Sequence, residues 1–91
     1  VRAAVFKYPL ALVAHQEIQV HPIRHLLSVH VQNGTVCLWA EVDPEGKEQS
    51  MPVYVVGTGW AMPELACGPL RFLGTVFLDE FVWHVFVGEA R

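Results

Sequence analysis

The stretch Val29-His30-Val31-Gln32-Asn33-Gly34-Thr35-Val36-Cys37-Leu38-Trp39 decides the fold. It places Asn-Gly between two runs that alternate apolar and polar residues. A type I′ turn needs φ > 0 at both central positions, and Asn-Gly adopts that geometry at little cost, so the stretch reads as a tight β-hairpin. Counting outward from a two-residue loop pairs Val31 with Val36, Val29 with Leu38 and Leu27 with Ala40, a uniformly apolar face expected in the core. The other face takes Gln32 with Thr35, His30 with Cys37, Ser28 with Trp39 and Leu26 with Glu41, a mixed and partly polar set.

Outward from this hairpin, apolar residues keep a period of two, carried by Val, Phe, Tyr, Trp and Thr, which suit a pleated surface. The pattern predicts strands over Ala3 to Tyr8, Glu17 to Val20, Arg24 to Gln32, Thr35 to Val42, Met51 to Gly57, Arg71 to Leu78 and Phe81 to Val87. Helix is expected only as a single turn over Met62 to Ala66, begun by Pro63 and Glu64 and ended by Gly68 and Pro69. The polar run Asp43 to Gln49 reads as a solvated hairpin loop. A tight turn at Asp79-Glu80 pairs Val76 with Trp83, Thr75 with His84 and Gly74 with Val85. The last two strands are apolar on both faces, which predicts that they are central or cover an interface. These readings give one all-β domain over 1–91, about seven antiparallel strands in a meander-type roll, sandwich or small barrel.

The composition narrows the partners. Ninety-one residues suit one core, and 53% hydrophobic against 16% charged residues argues against disorder. So much apolar material in a short chain leads us to expect a homo-oligomer, a dimer, with a buried apolar face. Six Lys and Arg against nine Asp and Glu give a net charge of −3 with no basic stripe, which counts against duplex nucleic acid. The charge-free window from Ser50 to Pro63 is broken by Pro52, Gly57, Gly59 and Pro63, so no membrane span is expected. Two cysteines, Cys37 and Cys67, and no signal peptide before the first strand point to a reducing, cytoplasmic setting.

The segments FKYP (6–9), LSV (27–29), QNG (32–34), CLWAEVDP (37–44), VVGTG (55–59), GTV (74–76) and VWHVF (82–86) resemble, in order and spacing, a family of short uncharacterised proteins encoded by phages and bacteria. The resemblance implies a mobile-element origin and brings no activity, cofactor or catalytic residue. His21-Pro22-Ile23-Arg24-His25 departs from that family's pattern, where a Pro and a Gly make a plain turn.

Each candidate site has a plainer reading. His30 beside Cys37, with His84 on a neighbouring strand, supplies zinc-compatible donors, but four clustered ligands are not in sight and no metal is expected. His21 and His25 lie about 13 Å apart if extended, and read as two solvated imidazoles. An imidazole beside Cys37 suits a thiolate nucleophile, though no oxyanion site or orienting third residue accompanies it. Gly57-Thr58-Gly59 followed by Trp60 lacks the Lys-Ser continuation of a phosphate loop and reads as a turn ending a strand. Trp39, expected among Ser28, His30 and Gln32, is the aromatic residue best placed for an interface or a pocket.

The resulting expectation is a non-enzymatic interaction module, without cofactor, that self-associates or docks on a host protein. It would act through the Trp39 face or the apolar last hairpin. The alternative is a binder of a nucleotide-like small molecule in a pocket lined by Ser28, His30, Trp39 and the Gly57 to Trp60 loop; the candidate residues for ligand or interface together are Ser28, His30, Gln32, Cys37, Trp39, Gly57, Gly59 and Trp60. A hydrolase using Cys37 and His30 is the third.

Overall fold

The computed structural model describes residues 2–64 and 68–91. Seven strands follow one another: β1 (Ala4–Leu10), β2 (Gln16–Val20), β3 (Ile23–Gln32), β4 (Thr35–Val42), β5 (Gln49–Gly57), β6 (Arg71–Leu78) and β7 (Phe81–Val87). They form two antiparallel sheets, one of three strands in the order β1-β4-β3 and one of four in the order β2-β5-β7-β6. Of the three expected closures, the sandwich is the one formed. Only β3–β4 and β6–β7 are hairpins. The chain crosses between sheets after β1, β2 and β4, and β5 and β6 are separated by β7. The turn expected over Met62 to Ala66 runs into residues that lie outside the described ones, as does Cys67.

The Asn33-Gly34 turn forms with φ of 51° and 75°. It sets the expected pairs from Gln32 with Thr35 as far as Ser28 with Trp39. Beyond that a β-bulge at Leu27 breaks the count: Leu26, not Leu27, pairs with Ala40, and His25, not Leu26, pairs with Glu41. The extra residue lets Leu26 face the core while Leu27 turns to solvent. A second bulge between Ile23 and His25 follows. The Asp79-Glu80 turn also forms, with φ of 52° and 68°, and the three expected pairs of that hairpin are present.

The core lies between the sheets. Val36, Leu38, Ala40 and Val42 of β4 face Met51, Val53 and Val55 of β5 and Val85 and Val87 of β7. Each fully buried aliphatic side chain contributes roughly 1.5–3 kcal/mol relative to exposure. Buried from Met51 to Gly57, β5 is the strand covered on both faces. β7 lies inside the sheet beside it, whereas β6, expected to be central or to cover an interface, is an edge strand. β1 continues past its expected end through Pro9 to Leu10, which an edge strand allows because no partner requires the missing N–H.

The run from Asp43 to Gln49 is a crossover rather than a hairpin loop, since β4 and β5 belong to different sheets. A turn closes it, with the Gly46 N–H donating to the Asp43 carbonyl at 3.2 Å and the Glu45 N–H to Asp43 Oδ1 at 3.1 Å. Pro22 lies so close to Gly46 that a Cβ there would stand 2.6 Å from its ring. The irregular His21-Pro22 step thereby has its physical reason: His21 is half-buried, edge-on to Phe6 at 5.3 Å, and the chain passes over Gly46 into β3. His21 is therefore not a solvated imidazole, while His25 is exposed and paired to Glu41 at 2.7 Å.

Candidate functional site

The eight residues marked as a candidate site fall into two groups. Ser28, His30 and Gln32 of β3 and Cys37 and Trp39 of β4 share the outer face of the three-stranded sheet, as the hairpin register requires. Gly57, Gly59 and Trp60 stand at the end of β5 in the other sheet. The cleft at that end is lined by none of the first five residues.

The first group is held by cross-strand contacts. Lys7 Nζ on β1 donates to Gln32 Oε1 on β3 at 2.8 Å, spanning β4. In the paired register Lys7 is level with Trp39 and Gln32 with Thr35, so this bond passes over the row of Cys37. Cys37 is accordingly buried although it lies on an outer face, and its Sγ approaches the Thr35 carbonyl at 3.6 Å. The His30 and Trp39 rings are tilted at 6.3 Å. His84, suggested as a neighbour of this pair, lies instead on the outer face of the four-stranded sheet, between Thr58 Oγ1 at 2.7 Å and Thr75 Oγ1 at 3.0 Å. Among the described residues no group of three or more His, Cys, Asp or Glu is placed to hold a metal ion.

The second group shows why its glycines stand where they do. Trp60 N–H donates to the Gly57 carbonyl at 3.0 Å, closing a turn in which Gly59 has φ of 91°, a position that favours glycine. A Cβ on Gly57 would lie 2.9 Å from the Trp60 ring, so the missing side chain lets the indole lie on the strand. Trp60 meets Trp83 edge-on at 5.4 Å, and Phe81 meets Trp83 at 6.0 Å and 52°. These rings, with Thr58, Val82 and Glu80, line a cleft of about 370 Å³. Trp83 is 8% exposed, and its indole N–H is buried without a hydrogen-bond partner among the described residues. Sequence reasoning missed Glu80 and Phe81 as neighbours of Trp60. The signal available was the Asp-Glu turn standing where Asn or Gly would be less strained.

Two further features complete the surface. A larger cleft of about 600 Å³ opens between the sheets at the start of β3, with Ile23, Leu26, Met51 and Val87 on its walls and Arg71 and Glu89 among its polar groups. On β6 and β7 three phenyl rings are solvent-exposed: Phe72, Phe77 and Phe81, at 54%, 74% and 62%. No helix among the described residues is long and apolar enough to cross a membrane.

The chain belongs to the family described as a domain of unknown function (DUF7352), whose model matches residues 2–91. No curated protein and no solved structure matches the chain.

Proposed function

We propose that this member of the DUF7352 family is a non-enzymatic interaction module of phage or bacterial origin that pairs with a second copy of itself through the free edge of β6 in the reducing cytoplasm. One observation carries the reading: past Arg71 and a register shift between Phe72 and Gly74, β6 runs on as an uncharged, proline-free sheet edge. β1 carries Lys7 and Pro9, β2 is five residues long and carries Glu17, and β3 carries Arg24, His25 and His30. From Phe72 to Leu78, β6 has no charge and no proline, and Phe72 and Phe77 stand exposed on its outer face. Natural sheets protect such edges with lysine, proline, bulges or short strands, or else use them for pairing.

The geometry suits a two-fold axis. In a two-residue hairpin the residues flanking the loop exchange backbone hydrogen bonds, and every second pair does likewise. Leu78, Val76 and Gly74 thus bond inward to β7, which leaves the amides of Thr75 and Phe77 directed to the free edge. An antiparallel copy centred on Val76 places Thr75 of each chain opposite Phe77 of the other, a self-complementary register. The Cys37 thiol, free and buried, suits a reducing compartment.

Sedimentation equilibrium across the micromolar range tests the reading, with Phe77→Lys as the edge-blocking variant. A wild-type dimer and a folded monomeric variant are expected. A wild-type monomer, or a dimer indifferent to Phe77→Lys, overturns self-association at this edge; in the first case an extended host segment becomes the occupant to seek.

A further inference from the structure

The cleft between the Gly57–Trp60 turn and the β6–β7 turn has a composition that selects one kind of ligand. Its walls are aromatic: Trp60 and Trp83 stand at 89° to one another, and Phe81 closes a third side. Among the described residues the one charged group lining it is Glu80, with Asp79 the adjacent turn residue, and no Lys or Arg of the described residues lines it. Ring faces attract cations through their quadrupole, and a methylated ammonium sheds water more readily than a free ammonium. We propose that this cleft binds a methylated ammonium group, held against the Trp60, Phe81 and Trp83 rings with the Glu80 carboxylate as its counter-charge.

Two independent features favour an occupant here. Glu80 holds a left-handed backbone conformation, φ 68°, that a non-glycine residue adopts at a cost, and such outliers gather at ligand sites. The carboxylate therefore sits on a turn of fixed geometry rather than on a mobile loop. Trp60 is half exposed although it packs on Gly57 and Trp83, leaving ring surface open. The cleft volume, about 370 Å³, falls within the usual span for small-molecule sites, roughly 300–1,000 Å³. The cleft is lined by the end of β5, the β6–β7 turn and β7, and by no residue of β6 itself.

The test titrates choline into the full chain while tryptophan fluorescence and the indole N–H resonances are followed, beside 3,3-dimethylbutan-1-ol, the uncharged carbon isostere of choline. A saturable millimolar response to choline is expected, with the isostere at least about tenfold weaker, as a cation–π term of about 1–2 kcal/mol requires. Glu80→Gln is expected to weaken choline several-fold and leave the isostere unchanged, and Trp60→Ala to abolish both. No saturable response, equal binding of the isostere, or indifference to Glu80→Gln overturns the proposal. A peptide bearing trimethyllysine separates the two sources of the group: tighter binding than choline assigns it to a protein partner, and equal or weaker binding to a free small molecule.

Discussion

The two hairpins of this molecule share one turn geometry and spend it differently. Asn33-Gly34 and Asp79-Glu80 both hold positive φ at both central positions. The first pair adopts this conformation readily, whereas the second bears two side chains, and Glu80 lacks the short polar chain that eases Asn and Asp into it. The β3–β4 hairpin sends Val29, Val31, Val36 and Leu38 into the core, and its outer face is bound by Lys7–Gln32 and His25–Glu41 contacts. The β6–β7 hairpin sends Val76, Trp83 and Val85 inward but exposes Phe72, Phe77 and Phe81. The second hairpin thus combines a strained turn with an apolar surface, where the first has a relaxed turn and a polar one. Both the proposed edge pairing and the proposed cation cleft rest on this difference.

The largest effect should come from the first hairpin's interior. Leu38→Ala empties a fully buried position and should cost about 3 kcal/mol in urea unfolding. Phe77→Ala, a larger deletion on the exposed hairpin, should shift stability of the monomer by less than about 0.5 kcal/mol. Comparable losses would erase the distinction between the two hairpins.

Exchanging the turns sharpens the comparison. Replacing Asp79-Glu80 by Asn-Gly should raise unfolding stability by about 1 kcal/mol, and replacing Asn33-Gly34 by Asp-Glu should lower it by a similar amount. A Cβ at Gly34 meets nothing within 4 Å, so the loss there reports backbone strain alone. If the first exchange fails to stabilise, the Asp-Glu turn is relieved by interactions of its own.

The smallest effect lies outside both hairpins and serves as their baseline. Glu17 on β2 accepts a hydrogen bond from Ser50 Oγ at 2.8 Å, the largest influence holding its carboxyl below the ordinary 4.5; burial opposes it, and His15 and Arg91 add to the lowering. Because the folded-state value is depressed, the contribution is present above the ordinary value and is lost as pH falls through the lowered one. Glu17→Gln should cost only a few tenths of a kcal/mol at neutral pH, since the pair is half exposed, and should flatten the acid limb of a stability–pH curve.

Much of the fold was legible because β-structure writes its faces into the sequence at period two. The seven strands lie within a few residues of their expected positions, and Asn33-Gly34 sets five cross-strand pairs. The register failed at Leu27, where neither Leu26 nor Leu27 differs in polarity and no glycine marks the bulge. The site was legible only in halves. The face of Ser28, His30, Gln32, Cys37 and Trp39 follows from counting along one hairpin, but its separation from Gly57, Gly59 and Trp60 does not, since alternation says which side a residue faces and not which sheet it joins.

The sequence by itself determined the all-β class, the two tight turns and, as far as the bulge at Leu27, the inward residues of each hairpin, because turn chemistry and side-chain alternation are local. Only the tertiary structure decided that β1 pairs with β4, that β5 is covered on both faces, that β6 is left as an open edge, and that Trp60 folds back over Gly57 onto Trp83. Those outcomes depend on contacts between residues far apart in the chain, set by which faces bury the most apolar surface together.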